Sequence, residues 1–137
     1  MFLPSLITGT LIKKFGHSTI IYSGAMIYLI CIFLSFYDQT FINYLIALVL
    51  LGIGWNFLFI GGTSLLVLCY QENEKFKVQG FNDVLVFSIQ SIASLTAGYS
   101  ILKFSWNEIN LACIPLVLLI ILVSIRADIY KKNIIEA

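Results

Sequence analysis

INLACIPLVLLIILVSIRA, residues 109 to 127, is an apolar stretch of 19 residues whose only charged side chain, Arg126, lies next to its end. A helix rises 1.5 Å per residue, so about 20 apolar residues cross the roughly 30 Å of hydrocarbon in a bilayer. The rest of the chain has a similar composition: 60% of its 137 residues are hydrophobic and 11% are charged, with a mean hydropathy of +0.98. A soluble domain carries about 25% charged residues. We therefore expect this chain to lie in a lipid bilayer.

Three further apolar runs bring the number of predicted spans to four. They cover residues 18 to 37, about 41 to 69 and about 82 to 102. Residues 1 to 12 reach only about 18 Å as a helix. We interpret them as part of a longer transmembrane helix that starts upstream of this chain, with an interfacial or re-entrant segment as the alternative. The predicted fold class is all-α, a polytopic transmembrane helix bundle with four full spans plus a truncated N-terminal helix.

Basic residues predict the orientation, because cytoplasmic loops retain positive charge. Alternate connections place seven of the eight basic residues on one side, and only Lys103 on the other. The seven are Lys13, Lys14, Lys75, Lys77, Arg126, Lys131 and Lys132. We therefore expect a multi-pass protein of the cell membrane, a bacterial inner membrane, with Asp38 outside and a cytoplasmic tail at residues 128 to 137.

Residues that would indicate an enzyme or a metal site are scarce. The single histidine, His17, lies beside two lysines, and Cys31, Cys69 and Cys113 lie one per span without C-x-x-C spacing. We interpret the cysteines as buried apolar side chains. No nucleophile, base or metal set is visible, and no basic patch alternates with aromatic residues as in nucleic-acid binding. We predict no enzymatic activity, no cofactor, no metal and no nucleic-acid partner.

The span of residues 41 to 69 contains polar and small residues at mid-membrane. Trp55 and Asn56 are surrounded by four glycines, Gly52, Gly54, Gly61 and Gly62. Glycines fit either close helix packing or a flexible helix that faces a cavity. An unpaired amide is unfavourable in hydrocarbon, so Asn56 is expected to face other helices or a wet cavity. An interhelical hydrogen bond and contact with a ligand are both open.

The next span carries a polar stripe at the helical period. Its members are Asp83, Phe87, Gln90, Ser91, Ser94, Ala97 and Gly98. We expect this face to be buried inside a bundle, either by small-residue packing or along a pathway, and Gln90 is more polar than packing requires. Asp83 is expected to open the helix and cap its free amide groups. The alternatives for Asp83 are a gate that pairs with a loop lysine and a proton-coupling carboxylate.

The other two spans are predicted to face lipid. Residues 109 to 127 are aliphatic on almost every face, with Pro115 expected to bend the helix near its outer end. Residues 18 to 37 are similar. Their one small patch, Ser23, Gly24 and Ala25, is suited to close helix contact.

The turn TGTLIKKFGHS, residues 8 to 18, resembles the cytoplasmic signature of the major facilitator superfamily: a glycine, three residues, an acid, a basic residue, one residue and a glycine. Gly9, Lys14 and Gly16 match this pattern. Lys13 occupies the acidic position and Ser18 does not supply the later basic residue, so the family's charge-network role is not carried over. The loop EKFKVQGFND is similar to the family's loop between its tenth and eleventh helices, and the resemblance covers essentially the whole chain.

This resemblance implies the stretch from the end of the eighth helix through the twelfth helix of a facilitator. Members of the family move solutes by rocking two six-helix halves about a midplane site. The implied function is therefore transport of a small solute of unknown identity, with this chain as a fragment and the missing N-terminal half as its partner.

The family's fourth and fifth helices of each half line or flank the pathway. The implied pathway candidates are Trp55, Asn56, Gln90 and Ser94, and the implied cytoplasmic gate and loop candidates are Gly9, Lys14, Gly16 and Asp83. Two alternatives are a non-transporting structural or accessory membrane subunit and a small homodimeric exporter. The exporter is less favoured, because no span has an ionisable group at mid-depth.

Overall fold

Five α-helices follow one another along the part of the chain that the structure, a computed structural model, describes. This part comprises residues 2–37 and 40–135, with side chains described for residues 5–37 and 40–126. The helices are α1 (Phe2–Phe15), α2 (His17–Tyr37), α3 (Phe41–Leu66), α4 (Lys75–Lys103) and α5 (Trp106–Ile135). Two 3₁₀ turns, Val67–Cys69 and Glu72–Glu74, connect α3 to α4, and these described ranges contain no strand.

Four of the helical segments are long and apolar enough to cross a membrane. They are His17–Tyr37, Phe41–Cys69, Glu72–Lys103 and Trp106–Arg126. This confirms the predicted polytopic helix bundle with four spans. Within hydrocarbon a helix satisfies all its backbone hydrogen bonds internally, which is why length and hydropathy predict the spans so directly. The predicted orientation of Asp38 lies outside the described residues.

The start of α4 differs from the prediction. The helix begins at Lys75 rather than near residue 82, because the segment up to Asp83 contains no proline and its one glycine, Gly80, continues the helix. Asp83 therefore lies in the third turn of α4. The prediction that it opens and caps the helix is wrong.

A single residue connects α1 to α2. Gly16 has a φ of 87°, in the left-handed region that residues with a Cβ rarely adopt, and its N–H donates to the carbonyl oxygen of Ile12 at 2.8 Å. The glycine ends α1, and α2 begins at the next residue. The tight turn expected from the sequence is confirmed, and it holds the two helices side by side.

Helix α2 lies at the centre of the described bundle and packs against α1, α3 and α5. Ala25 is fully buried, and with Ile32 and Val117 it forms the core between α2 and α5. The prediction that residues 18 to 37 face lipid is wrong for most of this helix, because its small residues admit neighbours on several sides. Its buried residues are Ile20, Ile21, Gly24, Ala25, Cys31, Ile32 and Ser35.

Helix α5 lies at the periphery, as its aliphatic sequence predicted, while the bend at Pro115 stays a prediction. Among its described side chains only Val117 is buried, and large aliphatic residues such as Leu116 and Leu119 are exposed on the outside of the bundle. Its first turn is closed by a reciprocal cap: the Ser105 N–H donates to the Glu108 carboxylate at 2.7 Å, and the Glu108 N–H donates to the Ser105 hydroxyl at 3.4 Å. This is a capping box, which marks where α5 begins.

Helix α4 is the least supported element. None of its residues is buried, and it contacts the rest of the chain mainly next to its connections. Within the described chain its polar stripe is not buried, so burial of this face inside a complete bundle stays a prediction. The reason is that α1, α3 and α5 gather around α2, so that the stripe containing Ser91 and Ser94 has no described helix packed on it.

Candidate functional site

Three consecutive residues of α3 point to three different neighbours. Successive side chains on a helix are about 100° apart, so Gly54, Trp55 and Asn56 cover more than half of its circumference. Gly54 faces α2: a Cβ built on it would lie 3.0 Å from Tyr28 Cδ1 and 3.2 Å from the Gly24 carbonyl oxygen. This contact brings the backbones of α2 and α3 close together, as the small patch around Gly24 predicted.

Asn56 faces α1. The Thr8 hydroxyl donates a hydrogen bond to Asn56 Oδ1 at 2.7 Å, and the exposed fractions of the two side chains are 0% and 8%. Asn56 was expected to face either other helices or a wet cavity, and the structure shows that it faces another helix, α1. Of the two roles left open for Asn56, the geometry supports the interhelical bond.

Trp55 faces a cleft between α3 and α4. The cleft has a volume of about 960 Å³, and it is lined by Tyr28 of α2, by Leu48, Val49, Leu51, Gly52, Ile53 and Trp55 of α3, and by Val86, Ile89, Gln90 and Ala93 of α4. The Trp55 ring stacks on Phe59, one turn further along α3, with the ring centroids 6.0 Å apart and the planes 10° apart. The structure thus brings Trp55 and Gln90, two of the four pathway candidates, to one site.

The chemistry of this cleft is that of a small-molecule site with few polar groups. Its volume lies at the upper end of the range of roughly 300 to 1,000 Å³ that is typical of ligand pockets. The lining is apolar except for the Tyr28 hydroxyl, the Trp55 indole N–H and the Gln90 amide, and none of the eleven lining residues is charged. Gln90 is the one lining side chain with both a strong acceptor oxygen and two N–H donors. Such a surface favours an uncharged solute with flat, apolar parts.

Ser94 lies outside this set. It is exposed and directly follows Ala93, a lining residue, so its side chain points about 100° away from the cleft wall. Its neighbour on the stripe, Ser91, donates to the carbonyl oxygen of Phe87 in its own helix at 2.7 Å. The described chain therefore does not bring Ser94 or Asn56 into the cleft, and their proposed contact with solute stays a prediction.

The glycines of α3 serve both of the purposes that the sequence left open. Gly52 lines the cleft. Gly61, like Gly54, is a close-packing site, since a Cβ there would lie 2.9 Å from Ile21 Cγ1. A Cβ on Gly62 would meet nothing within 4 Å.

The end of the bundle where α1 joins α2 holds a contact that the sequence did not indicate. His17, the first residue of α2, approaches Ser64 of α3, with 3.1 Å between Nδ1 and the hydroxyl oxygen. The Lys14 ammonium lies 5.3 Å from the centroid of the Phe15 ring, and Gly9 has open space around it. Asp83 is exposed and accepts a long hydrogen bond of 3.4 Å from the Asn82 amide. The gating role of these residues stays a prediction.

Two of the three cysteines do not lie where they were predicted. Cys31 is buried, and its thiol donates to the Ala47 carbonyl oxygen at 3.2 Å. Cys69 and Cys113 are exposed, because the 3₁₀ turn after α3 and the outer face of α5 have no described helix against them. The prediction of a buried thiol is correct for Cys31 alone.

The fold and the cleft define a class: a polytopic helical membrane protein with a solute-sized apolar cleft between two of its spans. No protein-family model matches the chain, and no solved structure matches it significantly. Several curated protein sequences do match the chain. The riboflavin transporter RfnT of Brucella anthropi is 36% identical over 121 residues, which cover 88% of this chain and 30% of the relative.

Two proteins of Bacillus subtilis, both described as uncharacterized MFS-type transporters, give similar alignments. YddS is 35% identical over 127 residues, covering 86% of this chain and 29% of the relative. YdeG is 35% identical over 113 residues, which cover 81% of this chain and 26% of the relative. The chain belongs to the major facilitator superfamily and corresponds to a C-terminal portion of its members. It spans less than a third of the length of each of these relatives.

Proposed function

We propose that this chain is part of a facilitator-type secondary transporter that moves a small solute across the bacterial cell membrane by alternating access. The observation that carries the proposal is the cleft between α3 and α4, two membrane-spanning helices, which is lined by both Trp55 and Gln90. The family supports it, since the three relatives are all named as transporters.

Alternating access requires two helix bundles that rock against each other. We therefore propose that further helices, including the N-terminal half found in facilitators, complete the transporter. The exposed stripe of α4 supports this, because Ser91 and Ser94 are polar groups in a membrane span without a described helix against them. Such groups are stable in a bilayer when they face protein or water rather than lipid. Ser94 therefore remains a pathway candidate on a face next to the cleft.

The charge distribution supports a cytoplasmic position for the α1–α2 turn and for the C-terminus. Lys13 and Lys14 end α1, and Lys75 and Lys77 begin α4, so both clusters lie at the same end of the bundle if α1 and α4 alternate in direction with their neighbours. Asp83, eight residues after Lys75, lies towards the same end. We place it and Lys14 at the cytoplasmic gate, with Gly9 and Gly16 shaping the turn beside them.

The lining of the cleft favours an uncharged solute with a flat ring. Trp55 offers an aromatic surface, and the Gln90 amide can donate and accept at once, which matches the alternating N–H and C=O groups on the edge of a cyclic imide. Riboflavin has such a ring, and one relative is named a riboflavin transporter. Riboflavin is therefore the first solute to test.

The test is uptake of labelled riboflavin by cells that cannot make it, with the gene expressed from its own locus together with any helices encoded upstream. Replacing Gln90 with leucine keeps the volume of the side chain but removes its polar groups. The loss of two hydrogen bonds of about 1 kcal/mol each corresponds to a roughly thirtyfold weaker apparent affinity. Gln71→Leu, the same change in the exposed connection before α4, is the matched control and should leave uptake unchanged.

The outcomes separate the parts of the proposal. If the parent protein takes up no riboflavin, that solute is wrong. If the parent takes it up and Gln90→Leu transports equally well, the cleft between α3 and α4 is not part of the pathway.

A further inference from the structure

We infer that Thr8 and Asn56 are a positioning pair: their buried hydrogen bond sets the rotation of α3 about its own axis and thereby holds Trp55 in the cleft. Asn56 then acts through Trp55 rather than by touching the solute. The inference rests on the proposed function only for its consequence in transport, since the position of Trp55 is measurable without any solute.

The Thr8–Asn56 hydrogen bond constrains the rotation of α3 relative to α1. The Thr8 hydroxyl and Asn56 Oδ1 are 2.7 Å apart, and both side chains are buried between α1 and α3. Separating them would leave a polar group without this partner where neither water nor lipid replaces it readily. The bond therefore favours one angular position of α3 relative to α1.

The rotation of α3 about its own axis also determines where Trp55 lies relative to the cleft. Trp55 directly precedes Asn56, so the angle between the two side chains is set by the helix itself, about 100°. When Asn56 points to α1, Trp55 points to the wall that faces Gln90 of α4. On its other side Gly54 lies against Gly24 and Tyr28, which sets how near α3 comes to α2. The glycine contact determines the distance between the helices, and the Thr8–Asn56 bond determines the rotation.

A rotation of α3 displaces the Trp55 ring by a distance that helix geometry sets. The outer end of a side chain lies about 6 Å from a helix axis, so a rotation of roughly 20° to 30° moves the Trp55 ring by about 2 to 3 Å. A displacement of that size changes what the ring contacts. Gln90 and Trp55 would then no longer present their polar groups to the cleft in the same geometry.

The experiment follows the fluorescence of Trp55 in the purified full chain, reconstituted into phosphatidylcholine vesicles. Trp106→Phe is introduced into every variant, so that Trp55 is the only tryptophan. Thr8→Val removes the donor with little change in shape, and Thr8→Ser keeps it. Thr63→Val is the matched control, because the Thr63 hydroxyl donates to the Phe59 carbonyl oxygen of its own helix at 2.7 Å.

Quenching by brominated lipid and by aqueous acrylamide measures the surroundings of Trp55, and thermal unfolding is recorded in parallel. We expect Thr8→Val to shift the ratio of the two quenching constants away from that of the parent, because the Trp55 ring moves by about 2 to 3 Å relative to lipid and water. Thr8→Ser and Thr63→Val should match the parent. If Thr8→Val lowers the unfolding temperature but leaves Trp55 quenching unchanged below it, the pair is structural only and the inference is overturned.

A second variant keeps the test decisive if Thr8→Val does not fold. Thr8→Val combined with Asn56→Leu removes both polar groups, so neither is left without its partner in hydrocarbon. The inference expects altered Trp55 quenching in this double variant as well, because the angular constraint is gone. Unchanged quenching there overturns it. Neither result depends on riboflavin uptake, which tests the proposed transport by itself.

Discussion

Replacing Gly24 with alanine tests the closest contact between α2 and α3. A Cβ at this position would lie 3.0 Å from each of three atoms: the Gly54 carbonyl oxygen, Leu58 Cγ and Phe57 Cβ. Favourable separations between carbon atoms are about 3.5 to 4.0 Å, so the helices have to move apart by roughly 0.5 to 1 Å. One of the three atoms belongs to the backbone and another is a Cβ, so a change of rotamer does not relieve the contact.

The expected loss follows from this geometry. Adding a methyl group to a well-packed contact destabilises a protein by about 1 to 3 kcal/mol. An opposing gain of up to about 1 kcal/mol comes from replacing glycine with alanine inside a helix. Gly62→Ala is the matched control, because it has the same propensity gain on α3 while its Cβ meets nothing within 4 Å. The difference between the two variants therefore measures the packing term, and we expect it to be about 1 to 3 kcal/mol in favour of Gly62→Ala.

The measurement is unfolding of the purified chain in mixed micelles with an increasing fraction of denaturing detergent, followed by helical circular dichroism. A clearly lower midpoint for Gly24→Ala than for Gly62→Ala is the expected result. Equal midpoints would show that α2 and α3 do not pack backbone to backbone at Gly24. The close approach of the α2 and α3 backbones at Gly24 and Gly54 would then be wrong as well.

Two further measurements test the remaining features. A membrane-impermeant maleimide should label exposed Cys69 and leave buried Cys31 unmodified. In intact cells the Cys69 reaction should require permeabilisation, because the proposed orientation places the α3–α4 connection inside. Labelling of Cys69 in intact cells without permeabilisation would reverse that orientation. Ser105→Ala should destabilise the start of α5 by about 1 kcal/mol, while Ser105→Thr should retain most of the cap. The measurement compares the unfolding midpoints of the two variants and the parent in mixed micelles. Equal stability of the alanine variant and the parent would mean that the cap is unimportant.

The spans were predictable because the bilayer imposes a length and a composition on them. Backbone groups in hydrocarbon must be hydrogen-bonded within the segment, so an apolar run of about 20 residues has few structures open to it. The start of α4 was not predictable from the same rule. Its first two turns, residues 75 to 82, mix polar residues with Phe76, Val78 and Phe81, and such a mixed segment lacks the continuous apolar run that marks a span.

The neighbours of each helix were harder to predict than its existence. Lipid chains are as apolar as leucine, so hydropathy alone does not distinguish a helix that faces lipid from one that faces protein. Helices α2 and α5 were therefore assigned the same environment, although α2 is central and α5 peripheral. The small residues around Gly24 were the better signal.

The site was partly predictable for a related reason. Trp55, Asn56 and Gln90 stood out because large polar or amphipathic groups are rare inside spans. The direction in which each one points depends on contacts that are distant in sequence, such as the bond from Thr8, 48 positions before Asn56. For that reason the sequence could propose the residues but not divide them between the cleft and the α1–α3 contact.

The position of α5 has a consequence for how the protein is made. Its Val117 closes the core against Ala25 and Ile32 of α2, and most of the chain lies between these partners. Contacts of such long sequence separation form late, and synthesis proceeds from the N-terminus at about 5 to 20 residues per second. Helix α2 must therefore enter the membrane without this contact and gain it only after the ribosome has delivered α5. During that interval the side of α2 that packs on Val117 lacks its final partner.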